Sequence, residues 1–160
     1  MLAAQTAPQP GINAARAAEL KAANINPRTG LATDYLNHFN EAVMLLEMIP
    51  DIPECAEDFL QWHPLSYAEH FTASNFAARD LAISAYESAD VGLRAEFDNI
   101  TGTMTAILIA VSEAMREAQQ DSTRAKLAVQ ALSWLKELVA ATGGIINGGN
   151  EANVDYIMTH

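Results

Sequence analysis

All six prolines of this 160-residue chain fall at positions 8, 10, 27, 50, 53 and 64, and none follows. A proline ring removes an amide donor and clashes with the preceding helical turn, so it ends or kinks a helix. The front of the chain is therefore cut into pieces, whereas everything after Pro64 can run in long helices. No stretch alternates polar and apolar residues for long enough to make a strand, and no internal repeat is present. The fold class expected is all-α: one domain over 1–160, an up-and-down bundle of about four long helices with one or two short ones.

Placing each residue at about 100° per step locates the elements. Residues 1–10 read as a loose lead-in to a helix over about 12–23, and Pro27 and Gly30 mark a turn. A helix over 31–49 gathers Leu31, Tyr35, Phe39, Ala42, Leu46 and Ile49 on one face, and Pro50 stops it. A short helix over 54–62 follows Pro53. The segment 65–89 is expected to be one long, Ala- and Ser-rich helix. Asp90 is a suitable N-cap for a helix over 91–119, whose apolar run 104–111 should be buried. Gly102, among Thr101, Thr103 and Thr105, predicts a local kink. The last helix, over 122–141, is expected to end at Gly143-Gly144 in a left-handed cap, leaving a Gly-rich tail over 143–160.

Charge and leader signals narrow the function classes. The formal net charge of −11 disfavours nucleic acid, which needs a basic surface. The longest uncharged helical run, 99–112, is shorter than the roughly 20 residues that cross a bilayer. The first residues lack a basic region and a long apolar core, so a cytoplasmic location is expected. Cys55 is the one cysteine and sits among carboxylates, which disfavour a thiolate; a partly buried small residue is expected there.

Catalytic signatures are missing: no glycine-rich dinucleotide loop, Walker loop, nucleophile elbow or His-Glu-x-x-His. A bundle-core di-iron site needs Glu-x-x-His, so that both ligands share one inward face. The residues three before the four histidines are Tyr35, Leu60, Tyr67 and Ile157. The segment 29–78, however, holds eight carboxylates and three of the four histidines without one lysine or arginine. Such a field suits a divalent transition metal, and Asp34, His38 and Glu41 follow i, i+4, i+7 spacing, with Glu69 and His70 able to join from the next long helix. The plainer reading is a solvated acidic face with His38 bonded to Asp34.

Asn75, Arg79 and Tyr86 lie near one apolar stripe of segment 65–89. Arg79 would then be partly buried, paired with Asp34, Glu41 or Glu47, or lining a small-molecule pocket with Asn75 and Tyr86. Three readings of function result. The leading one is a non-enzymatic protein that acts through protein contacts, with self-association or another protein as partner. The others are a metal-binding bundle and a small-molecule pocket; outside the metal reading no cofactor is expected.

Overall fold

A computed structural model of the chain describes residues 14–148. These form seven α-helices: α1 (Ala14–Ala22), α2 (Leu36–Met48), α3 (Cys55–Gln61), α4 (Tyr67–Ala73), α5 (Arg79–Glu87), α6 (Val91–Glu117) and α7 (Asp121–Ile146). A 3-10 turn at Thr33–Tyr35 leads into α2. Among the described residues the only β pairing is an isolated bridge between Ile25 and Ala32. The all-α expectation therefore holds, and Asp90 does cap α6, its carboxylate accepting the Leu93 amide at 2.9 Å. No helix of the described residues is long and apolar enough to cross a membrane.

The expected single helix over 65–89 is two helices. Ser66 and Glu69 form a capping box at the start of α4: the Ser66 hydroxyl accepts the Glu69 amide and the Glu69 carboxylate accepts the Ser66 amide. At the far end Ser74 is the C-cap and Asn75 follows with φ 56°, left-handed. Asparagine tolerates that conformation better than most residues do. Phe76 then packs edge-on against Phe71 at 5.1 Å, the apolar contact between C″ and C3 that accompanies such helix ends. Helix propensity alone hides this break, because alanines on both sides outweigh it.

The end of α7 is displaced in the opposite sense. Gly143 and Gly144 sit inside the helix, which runs on to Ile146; Asn147 is the C-cap and Gly148, at φ 95°, supplies the left-handed residue. The extension is held by Thr29, whose buried hydroxyl donates to the Ile146 carbonyl at 2.7 Å. Gly102 interrupts nothing either, for α6 is continuous through it. Nor is the 104–111 run buried all round: Met104, Leu108 and Val111 are buried, but Ile109 is 40% exposed. The lead-in 1–10 and the tail beyond residue 148 lie outside the described residues.

The core is one cluster. α7 packs along both α6 and α2, and α3 bridges α2 and α6. Leu31, Tyr35, Phe39, Ala42, Leu46 and Ile49 are all buried as expected, but the helix expected over 31–49 begins only at Leu36, so Leu31 reaches the core from the loop and Tyr35 from the 3-10 turn. Cys55 is buried as well. The loop before the 3-10 turn is fitted to α5 by Gly30: at φ 75° a Cβ there would stand 2.8 Å from the Ala85 carbonyl oxygen.

The break at Asn75 can be tested by substitution. Asn75→Ala should lower stability by about 1 kcal/mol, roughly 2–4 °C in Tm, because alanine resists the left-handed region. Were 65–89 one continuous helix, the same change would raise Tm.

Candidate functional site

Five elements converge on a block of rings. Tyr35 lies edge-on to Phe39 and Tyr67, each at 5.2 Å, and Tyr67 stacks on Tyr86 at 4.4 Å. Phe97 of α6 closes the group, 5.8 Å from Tyr67. Such pairs contribute about 0.5–1.5 kcal/mol each beyond the area they bury. Tyr67 also reaches across the chain, its hydroxyl accepting the Ala32 amide at 2.9 Å.

The connection 62–66 between α3 and α4 is fastened to this block at three points. The Trp62 indole N–H donates to the His38 carbonyl at 3.1 Å, the Tyr35 hydroxyl donates to the Leu65 carbonyl at 2.7 Å, and the Leu65 amide donates to His38 Nε2 at 3.0 Å. The last bond requires Nε2 to be unprotonated, so Nδ1 carries the hydrogen. Trp62 stacks on the His38 ring at 4.7 Å. Burial, with His70 and His63 as neighbouring like charges, pushes His38 down to about 4 from an ordinary 6.5. The residue is thus a neutral acceptor at physiological pH.

Between this strap, α4, α5 and α6 lies a cleft of about 490 Å³. Its strap wall is Pro64, Leu65 and Ser66, followed by Tyr67 and Glu69 of α4. Tyr86 supplies partly exposed aromatic surface, with the buried rings of Tyr35 and Phe97 behind it, and α6 presents Asp98, Thr101, Gly102 and Thr105. The α6 residues recur at i, i+4 and i+8, with Asp98 and Gly102 as the adjoining row, so one helix face makes that wall. Asp98 Oδ1 accepts the Tyr86 hydroxyl at 2.7 Å. Burial raises the phenols of Tyr35 and Tyr67 well above their usual range, and burial together with the Asp98 bond raises Tyr86 to about 12. All three therefore stay protonated near neutral pH, and no histidine, lysine or arginine lines the cleft. The ionisable groups that line it besides the tyrosines are the carboxylates of Glu69 and Asp98.

The residues singled out from sequence are partly brought together. His70 Nε2 lies 3.0 Å from Asp34 Oδ2, and the His38 and His70 rings are 6.0 Å apart. Glu41 is exposed, and Glu69 is engaged in the capping box of α4. Among the described residues no three His, Cys, Asp or Glu side chains are grouped so as to hold a metal ion. The expected stripe assumed a continuous α-helix through Asp34; the 3-10 turn there advances about 120° per residue and turns Asp34 towards α4. Asp34 meets His70, not His38, which is the reverse of the pairing the spacing suggested.

Arg79 is half exposed and lies 3.7 Å from its neighbour Asp80. Of its expected partners, Asp34 pairs with His70 and Glu47 with Lys136 at 2.7 Å, and Glu41 is exposed on α2. Asn75 is exposed in the turn that breaks the helix, which removes the one-turn spacing to Arg79 on which the pocket reading relied. Of that trio only Tyr86 lines the cleft. Sequence reasoning missed Tyr35, Tyr67, Phe97 and Asp98 as cleft residues. The signal available was Ser66-Tyr-Ala-Glu69, a capping-box pattern that announces a helix start and therefore a free strap before it.

Fold and site together define an all-helical protein with an acidic, tyrosine-lined cleft under a pinned strap. No protein-family model matches the chain, and no curated protein and no solved structure matches it.

The His38 bond has a consequence for pH. A lowered folded pKa means that the unfolded chain binds the proton first as pH falls. Stability is therefore full above about 6.5 and is lost as the pH drops towards about 4, by at most about 1.4 kcal/mol per pH unit. In His38→Gln the side-chain oxygen can still accept the Leu65 amide without titrating. Urea unfolding at pH 7, 6 and 5 should show a shallower decline for this variant than for the wild type; parallel declines would mean that His38 is not held neutral.

Proposed function

We propose that this chain is a non-enzymatic binding protein that takes a small organic ligand in the cleft between the 62–66 strap and helices α4, α5 and α6. The observation that carries the reading is the cleft itself. At about 490 Å³ it falls within the range of small-molecule sites, about 300–1,000 Å³, and it combines an aromatic surface with a few fixed polar groups. Gly102 supports it from another side. A glycine in the middle of a helix costs about 1 kcal/mol relative to alanine, yet a Cβ at Gly102 would meet nothing within 4 Å. Packing gives no reason for a glycine there, whereas an open cleft does.

Gly102 also provides the test. Gly102→Leu places a side chain in the cleft mouth on a Cβ that meets no neighbour, and it replaces a helix-weakening glycine, so the fold and Tm should be kept or improved. A thermal-shift screen of small organic compounds should find ligands that raise the Tm of the wild type and not of Gly102→Leu. Hits that stabilise both proteins equally would place binding elsewhere and end this reading.

A second reading, action through protein contacts by self-association, is favoured by the outer face of α6. The run 99–112 carries no charge, Ile109 is exposed, and a shallow groove bordered by Gly102, Ala106 and Ala110 follows the helix. Small residues of this kind let a second helix approach closely. Light scattering at micromolar concentration should then give a dimer or larger species that Ile109→Lys reduces to monomer; a monomeric wild type would remove this reading.

A further inference from the structure

The hydrogen-bonding groups around the cleft are unevenly divided between donors and acceptors. Along the strap, Pro64 has no amide hydrogen, the Leu65 amide is given to His38 and the Ser66 amide to Glu69. The Tyr35 hydroxyl donates to the Leu65 carbonyl and the Tyr86 hydroxyl to Asp98. The Thr101 hydroxyl donates back to the Asp98 carbonyl at 3.2 Å. Most donors on these walls are thus spent inside the protein.

The acceptors are not. Asp98 is fixed through Oδ1 by Tyr86, and Glu69 through Oε1 by Ser66. Each carboxylate keeps its second oxygen without a hydrogen-bond partner among the described residues, and each is oriented before a ligand arrives. The Ser66 amide and then its hydroxyl hold the Glu69 carboxyl below the usual carboxylate range, which keeps it charged. The formal charge of the cleft walls is −2, from Glu69 and Asp98. The Arg94 guanidinium lies 5.7 Å over the Tyr86 ring and donates to the Glu87 carbonyl, and the His63 ring is a favourable electrostatic neighbour of Glu69. Tyr67 stacks on Tyr86 as well, so the guanidinium occupies the other ring face, away from Tyr67.

We propose that the ligand of this cleft is a primary organic ammonium with an apolar or aromatic body. The ammonium offers three donors and a positive charge to the open oxygens of Asp98 and Glu69, and its body lies along Pro64, Leu65 and the exposed edge of Tyr86. A carboxylate or phosphate ligand would meet two negative charges and few donors; a neutral alcohol would leave both carboxylates unpaired. Contact with two carboxylates favours a cation over a neutral molecule of the same shape.

This assignment rests on the cleft being a ligand site, and the test keeps the two apart. Isothermal titration calorimetry on the intact chain at low salt would use 2-phenylethylamine, neutral 2-phenylethanol and anionic 3-phenylpropionate. The amine should bind at least about tenfold tighter than the alcohol, and the anion should give no heat of binding. Asp98→Asn keeps an acceptor for the Tyr86 hydroxyl, and Glu69→Gln keeps the capping box, so circular dichroism should show both folded. Each should weaken the amine about tenfold and leave the alcohol unchanged. Equal affinities for amine and alcohol, preference for the anion, or an amine affinity that neither variant alters would overturn the cation assignment while leaving the cleft as a ligand site. Heat from none of the three probes, or binding that Gly102→Leu leaves intact, would overturn the cleft reading as well.

Discussion

Leu65 is held by both of its backbone polar groups, the carbonyl by Tyr35 and the amide by His38, and the shape of the site follows from that pair of bonds. A five-residue connection with a proline in its middle has no hydrogen-bond ladder of its own. Fixed at Leu65 and again at Trp62, it becomes a wall. The fixing groups come from the 3-10 turn and the first turn of α2, whose buried faces are secured by Phe39, Leu46 and the rest of the core. The cleft is therefore formed before any ligand enters, and ordering the strap adds nothing to the cost of binding.

His38 shows how burial decides chemistry. Near an acidic segment it would be expected to carry a proton and pair with a carboxylate. Packed between Trp62 and Tyr35, and facing His70, it is neutral and serves as an acceptor. The carboxylate that sequence spacing offered to it goes instead to His70, which is the better placed of the two once the 3-10 turn has rotated Asp34. Desolvation outweighs the attraction of a carboxylate that is already committed elsewhere.

The helical class, the apolar face of α2, the Asp90 cap and the buried Cys55 are legible in the sequence because each depends on local periodicity or on one residue type. Two kinds of feature are not. The first is a helix end set by tertiary contact: Thr29 prolongs α7 past two glycines from more than a hundred residues away, and Phe76 returns onto Phe71 to close α4. The second is the site. Its residues come from the 3-10 turn, the strap, α4, α5 and α6, and no spacing within one helix brings Tyr35, Tyr86 and Asp98 together. The acidic segment 29–78 did contain part of it, in Glu69, Tyr35 and Tyr67. The eye falls there on the histidines, however, of which His38 accepts the Leu65 amide and His70 faces Asp34.

The cleft of this all-helical chain presents protonated tyrosines and two half-engaged carboxylates. The measurement that bears most directly on this account is a two-dimensional NMR titration of the labelled protein with 2-phenylethylamine. The account predicts that the amides of Ser66, Tyr67, Phe97, Asp98 and Thr101 move together and saturably. Saturable shifts centred instead on Ala106, Ile109 and Ala110, or no shifts at millimolar amine, would contradict it.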